Sequence, residues 1–562
     1  MICELDWQTF SSRVSGWKAD SLDFILLMSA AIPNSLHQDL SAYLAEIVRV
    51  LKPGGLLFVH GLPETLPALG VALDRLLTFK YWIVIESSLR DKGKGLPTKH
   101  TAVLLFSKGK SFRIRQLRFP HQLCKACGRS LRDWGGKSHL MNPEGYLISD
   151  VWKDIPHLDN YEYLSPLIQQ FLIRLLPQDE HEVEGVIVPK HIPISHLRQD
   201  KSLGPSHQTP RAAETTDQYA CQLPLFSPCC KKSEESGKGL WNVVLQGDIL
   251  EKLRQYPDQS VDLVFADPPY NLDKAYSQYE DERSREEYLE WCNSWLDEYV
   301  RILKPTGSLY LLNLPRWAMY HAVYLNRKLY FQNWIVWDAL SEPRGKIMPA
   351  HYALLFYTRH PTDFTFNYEA VSPIDARFYC LRQGCIRERK RRGIDEKEPL
   401  TDIWWDIHRL KHRRNRDFHP CQLPDALLER IILLSTNPGD IVVDALAGTG
   451  TTAVAAAKLG RRYVAIDIDF TYVEMTRQKI AQVETLGKVY RQGTKKAKNQ
   501  YSKKALQIEL REIARQLGRL PTPEDVQRLS RYGLEAFLET FPSWSKALKA
   551  AKIEVNHAKS TP

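Results

Sequence analysis

Asp267-Pro268-Pro269-Tyr270 is the segment whose residue types could do chemistry. It follows an apolar run, Val261 to Ala266, that reads as a buried parallel strand. An amine attached to an aromatic ring is a poor nucleophile, because its lone pair is delocalised into the ring. A carboxylate and a carbonyl that both accept its N–H groups would localise that pair on nitrogen. Asp267 offers the carboxylate and Pro268 the carbonyl, and two prolines stiffen the turn and fix where the carbonyl points. Tyr270 adds a flat face on which a planar ring can stack. Taken alone, the tetrapeptide has a second, lesser reading as a tight strand-end turn with no chemistry.

A second constellation lies 177 residues downstream (444 minus 267). Asp440 to Asp444 is another buried-strand pattern, running into Ala447-Gly448-Thr449-Gly450-Thr451-Thr452 and then a helix-like stretch, Ala453 to Leu459. Strand, glycine turn and helix make the layout of a nucleotide-type cofactor loop. Gly448 and Gly450 let the backbone approach a ligand without a Cβ in the way. The next strand, Tyr463 to Ile466, ends in Asp467, and an acidic residue there suits two ribose hydroxyls. Positioning both constellations requires parallel strands whose carboxyl ends share one crevice.

Residues 241–485 resemble the β group of DNA amino-methyltransferases, in which the DPPY motif precedes the S-adenosyl-L-methionine loop. The likeness runs through Leu245-Gln246-Gly247-Asp248, Val261 to Leu272, Leu303 to Ser308, His419-Pro420-Cys421-Gln422-Leu423-Pro424 and Ser435 to Asp440. It is strongest to the cell-cycle-regulated and restriction-associated adenine enzymes. The resemblance implies an α/β, Rossmann-like sheet and methyl transfer to adenine N6, since DPPY in this group usually marks adenine and SPPY cytosine N4. The target base would flip out of the duplex. Asp267 and Pro268 would orient N6, Pro269 would stiffen the turn, Tyr270 would stack and Asn271 would shape the pocket. Asp444, Ala447, Gly448, Gly450, Thr451 and Thr452 would hold the methionine part of the cofactor, Asp467 its ribose and Asp248 its other side. No metal is needed. Asp444-Ala445-Leu446 stands where the family has Asp-Pro-Phe, and Leu423 where it has Lys. Cytosine N4, RNA, or a DNA-binding regulator without activity remain as other readings.

Charge and composition agree with a polyanionic partner. The chain has 562 residues and a net charge of +10, which favours several domains and binding to nucleic acid. Basic residues cluster at Arg387, Arg389, Lys390, Arg391 and Arg392, and again at Lys411, Arg413, Arg414 and Arg416. Both clusters fall in a target-recognition region at about 370–418, where they would grip phosphates of double-stranded DNA without reading sequence. The bland reading is a solvated charged loop. No apolar run is long enough to span a bilayer, and the first residues lack a secretion signal. Ten irregularly spaced cysteines read as reduced thiols, so the expected location is cytoplasmic, on the nucleoid.

The amino-terminal region repeats the pattern of the catalytic one. Ser21 to Leu26 parallels Ser260 to Phe265, Arg49 to Phe58 parallels Arg301 to Tyr310, Trp82 to Ile85 parallels Trp334 to Trp337, and Ser149 to Ile155 parallels Thr401 to Ile407. Four collinear matches predict a duplicated sheet with a degenerate first copy over 1–187. Met28-Ser29-Ala30-Ala31 stands where DPPY belongs, and only Gly185 marks the glycine-loop region. The expected state is a monomer with an internal pseudo-dimer. Cys124-Lys125-Ala126-Cys127 could be half of a zinc site, with His139 nearby, but a second CxxC is missing and Cys380 and Cys385 are more loosely spaced. The other reading is a relic of a zinc-binding insert. Cys292 reads as core.

Residues 188–240 read as a linker rich in Pro, Ser, Gln, Lys and Glu. Its apolar island, Gln222-Leu223-Pro224-Leu225-Phe226, resembles the peptide by which bacterial DNA-processing proteins dock on the replication sliding clamp. Local packing is the alternative. After a basic connector at 486–504, residues 505–562 form a small all-α module. Helices are expected over Ala505 to Leu517, from Thr522-Pro523, and over Ser543 to Ala551. This module resembles the homing-endonuclease-associated repeat, a small helical DNA-binding unit.

Overall fold

Val261–Ala266 forms the strand that its apolar run predicts, paired in parallel on both sides. The protein is seen in a computed structural model. It describes residues 2–32, 40–131, 141–153, 163–177, 182–189, 239–272, 283–339, 345–380, 382–394, 396–410, 422–486, 503–541, 543–551 and 553. The strands of the first half are β1 (Ile2–Glu4), β2 (Leu22–Met28), β3 (Leu51–Gly61), β4 (Thr78–Arg90), β5 (Thr98–Ser107), the short pair β6 (Arg118–Phe119) and β7 (Tyr146–Leu147), β8 (Val151–Trp152) and β9 (Gly185–Val188). Those of the second half are β10 (Val243–Gln246), β11 (Val261–Ala266), β12 (Leu303–Asn313), β13 (Tyr330–Asp338), β14 (His351–Thr358), the short pair β15 (Ile374–Asp375) and β16 (Lys397–Glu398), β17 (Ile403–Trp404), β18 (Ile441–Asp444) and β19 (Arg462–Asp467).

One sheet has the order β1-β9-β2-β3-β5-β4-β8 and the other β10-β19-β18-β11-β12-β14-β13-β17. In both, β2 or β11 lies between two parallel neighbours, and an antiparallel pair leads to a parallel edge strand. Polar details repeat as well. Lys52 Nζ lies 3.0 Å from Asp23, which also accepts the Glu184 N–H at 2.9 Å; Lys304 Nζ lies 2.7 Å from Asp262, which accepts the Ile441 N–H at 2.9 Å. The difference is at one edge. In the first sheet β1 sits directly beside β9, whereas in the second β19 stands between β18 and β10. Among the described residues, the first sheet therefore has no counterpart of the strand that ends in Asp467.

The halves share a continuous apolar core that includes Leu104, Met319 and Val264. Trp82 on β4 and Trp334 on β13, equivalent by sequence, stack with ring centroids 3.8 Å apart and planes 4° off parallel. Around them the contacts are reciprocal: Lys99 N–H donates to Asp402 Oδ1 and Ala350 N–H to Asp150 Oδ1, each at 2.8 Å. Helices Leu66–Asp74 and Pro315–Leu325 cross so closely that a Cβ on Gly70 would lie 2.4 Å from Met319 Sδ.

The carboxyl-terminal module is a separate unit. Among its described residues it has four helices, Lys503–Leu517, Pro523–Leu529, Gly533–Thr540 and Trp544–Ala550, around Leu506, Leu510, Ile513, Val526 and Phe537. Thr522 caps the second helix through a reciprocal box with Asp525, as its position before Pro523 predicts. The expectation of three helices missed Gly533–Thr540, an eight-residue helix that opens on a glycine at φ 69°. Residues 222–226 lie outside the described residues, as do Arg413, Arg414, Arg416 and His139.

Candidate active site

β11 and β18 are neighbours, so the segments after them, Asp267 to Tyr270 and Asp444 to Thr452, meet at the carboxyl edge of the second sheet. Both line one cavity of about 250 Å³. Of the expected site residues, Asp267, Pro268, Pro269, Tyr270, Asp248, Asp444, Ala447, Gly448, Thr451, Thr452 and Asp467 border it. Tyr299, from the Arg285–Ile302 helix, ties the two strand ends together. Its hydroxyl accepts the Ala445 N–H at 2.8 Å and reaches the Phe265 carbonyl at 3.4 Å.

The tetrapeptide is held from behind. Tyr288 donates its hydroxyl to the Pro269 carbonyl at 2.8 Å, and Trp317 donates Nε1–H to the Tyr270 carbonyl at 2.9 Å. Among the described residues no donor engages the Pro268 carbonyl. The Tyr270 hydroxyl donates to Asp267 Oδ1 at 2.7 Å, which fixes the carboxylate's rotamer. Tyr270 thus has a positioning role besides the expected stacking one, and it is buried, at 3% exposure.

In the cofactor loop, Asp444 is buried. It accepts the Thr452 hydroxyl at 2.5 Å and the Leu446 N–H at 3.1 Å. Burial, with Asp467 nearby, pushes its carboxyl up to about 7. Asp467 accepts N–H groups of Gly448 and Asp469, each at 2.8 Å, and burial pushes it up to about 6. Two carboxylates kept short of water are poised for cationic or hydroxyl-rich groups. Gly450 has φ 76°, and a Cβ there would lie 2.3 Å from Thr476, so it shapes the turn from behind rather than bordering the cavity. Lys479 closes the turn by donating to the Thr449 carbonyl at 2.7 Å. Asp248 is an N-cap at the rim, its Oδ1 accepting from Leu250 and Glu251.

Two expectations need correction. Asn271 does not border the cavity. Its amide exchanges two 2.8 Å bonds with the Arg283 backbone, so it clamps the ends of the 272–283 stretch. Arg389 cannot meet a phosphate, because it is fully buried, paired with Asp375 at 3.1 Å and bonded to the Cys380 carbonyl. Arg391 and Arg392 on the same helix are exposed, sharing Glu388. Tyr288, Tyr299, Trp317 and Lys479 were missed. They sit on distant elements, and only their place on apolar helix faces could have singled them out.

The DNA methylase family profile matches residues 31–237 and 261–478, and that of the homing endonuclease associated repeat matches 501–554. The type II methyltransferase M.BamHI of Bacillus amyloliquefaciens is 39% identical over 261 residues, covering 44% of this chain and 60% of the relative. The chain thus spans about three fifths of that relative's length. The DNA adenine methyltransferase YhdJ of Escherichia coli is 30% identical over 243 residues, covering 42% of this chain and 82% of the relative. A solved DNA modification methylase from Thermus thermophilus, complexed with S-adenosyl-L-methionine, is 24% identical and covers 42% of this chain and 92% of its own, with a TM-score of 0.31.

Proposed function

The chain belongs to the DNA methylase family, and from that premise we propose that it transfers a methyl group from S-adenosyl-L-methionine to N6 of adenine in duplex DNA. The observation that carries the proposal is the shared cavity: Asp267 and Pro268 line the same space as Asp444, Gly448 and Asp467. The residues present fit the cofactor. Acidic groups suit its ammonium and ribose, Phe265, Ile249 and Leu446 give apolar wall, and the turn at Gly450 has no room for a side chain. When bound, the cofactor supplies an electrophilic methyl on a sulfonium centre.

Asp267 and Pro268 accept the two N–H bonds of the amine, which concentrates its lone pair on nitrogen and aims it along the line of displacement. The carboxylate also steadies the positive charge that develops on the amine as it is methylated. Tyr270 keeps that carboxylate in place, and Tyr288 and Trp317 keep the peptide from rotating. Asp444 and Asp467 offer negative charge toward the cationic donor.

Adenine is favoured over cytosine N4 by the aspartate at 267 and by the likeness to the E. coli DNA adenine methyltransferase. The first half acts as a fused, catalytically silent partner, leaving the protein monomeric in the cytoplasm. Long-read sequencing of host DNA tests the assignment. Modified adenine in one sequence context is expected with the wild-type gene and none with Asp267→Ala; modified cytosine, or no modification, would overturn it.

A further inference from the structure

Away from the active site, four cysteine sulfurs from the two halves meet. The Sγ atoms of Cys124, Cys127, Cys380 and Cys385 all lie within 4.8 Å of one another. Cys124 to Cys385 and Cys127 to Cys380 are each 3.7 Å. A tetrahedral zinc ion with Zn–S bonds of ~2.3 Å holds its sulfurs about 3.8 Å apart, whereas a disulfide needs ~2.05 Å. Both of these close pairs cross between the halves, so neither loop is arranged for a disulfide of its own.

The surroundings suit thiolates. The Cys380 N–H donates to Cys124 Sγ at 3.3 Å, and the Cys124–Gly128 turn closes through a 2.9 Å bond with Gly128 at φ 67°. Cys124, Cys380 and Cys385 are buried, and Cys127 is exposed. The buried Arg389 guanidinium, paired with Asp375, bonds the Cys380 carbonyl at 3.2 Å and so fixes the backbone that carries one of the four sulfurs. The local core here is small: Cys124, Cys380, Cys385, Ala376 and Tyr379 are buried, with Ala126, Leu131 and Phe378 packed partly buried against them.

We propose that Cys124, Cys127, Cys380 and Cys385 form a structural zinc site that staples the first half of the chain to the second. All four positions are protein thiolates, so the site is closed and takes no substrate. Four protons leave as the metal binds. The ion would fix the start of the Gln383–Arg392 helix, and with it the exposed Arg391 and Arg392.

The test is metal analysis of the full chain, purified without chelator from zinc-supplemented cells. One zinc per chain is expected, and the cobalt-exchanged protein should show the visible bands of tetrahedral thiolate coordination. Cys124→Ser/Cys385→Ser should lose the metal. A wild-type chain with no zinc above buffer background and no uptake of cobalt would overturn the proposal, and this readout stands even if the variant fails to fold. Stoichiometric zinc retained by a folded double variant, or a Cys124–Cys385 disulfide in the purified wild type, would overturn it too.

Discussion

Asp267 borders the cavity and accepts the Tyr270 hydroxyl, and it is not among the groups expected to hold phosphates. Asp267→Ala should therefore lower the methylation rate by ~10²–10³ while leaving DNA affinity near wild type; an unchanged single-turnover rate would exclude a catalytic role. Tyr270→Phe keeps the ring and frees the carboxylate, and a loss of about tenfold in rate is expected, the worth of one hydrogen bond to a charged group. The cofactor carboxylates predict a pH dependence. Burial raises Asp444 to about 7 and Asp467 to about 6 from an ordinary 3.8. Between those limits the folded apo protein holds protons that the unfolded chain has released, so its stability falls as pH rises through the window. A cationic ligand prefers the ionised pair. Affinity for S-adenosyl-L-methionine should rise from about pH 5.5 to about pH 8, with proton release near neutrality. Titration calorimetry in buffers of different ionisation enthalpy measures this, and a flat profile would refute it. The residues in this chemistry were legible because they are contiguous: strand, DPPY, strand, glycine turn. Tyr299 and Tyr288 were not, since a helix residue that bonds a strand end 34 or 19 positions away leaves no local pattern.

Periodicity found β11, β18 and β19 because they are apolar runs buried largely on both faces. It could not tell which basic residue on the Gln383–Arg392 helix faces inward, because a run of arginines has no apolar stripe to mark the buried side. The outcome is testable. Neutralising Arg391 and Arg392 to Gln should weaken binding to every duplex alike and lower the salt slope by about one to two units. Arg389→Gln should leave that slope alone and lower the melting temperature, since it removes a buried guanidinium's bonds to Asp375 and to the Cys380 carbonyl. If Arg389 changed the slope and the other two did not, the orientation of this helix relative to DNA would be wrong.

Among the described residues, the cavity lined by cofactor-type residues lies on the second of the two large sheets, and the first lacks the strand that ends in Asp467, so one S-adenosyl-L-methionine per chain is expected by calorimetry. Light scattering should give the mass of a single chain, because the face that equivalent halves would use for dimerisation is already covered by the Trp82–Trp334 stack. Trp82→Ala should cost ~3–5 kcal/mol in urea unfolding, the usual range for a buried tryptophan. A loss near zero would mean that the two halves are stable without their contact. The duplication was legible from four short matches, yet the reciprocal aspartates were not, because Asp150 and Asp402 satisfy backbone N–H groups from the opposite half, a pairing that no single-copy pattern encodes.

In an isologous dimer of separate subunits, every substitution appears twice, once on each side of the axis. Here Trp82 and Trp334 lie across such an axis but are encoded at two positions, so each side can drift alone. A change that would disable both centres of a homodimer disables one at most. The chain could thus lose its first DPPY segment and still retain the second intact, and its two faces are free to become unlike. A recognition sequence read by unlike faces has no reason to be a palindrome.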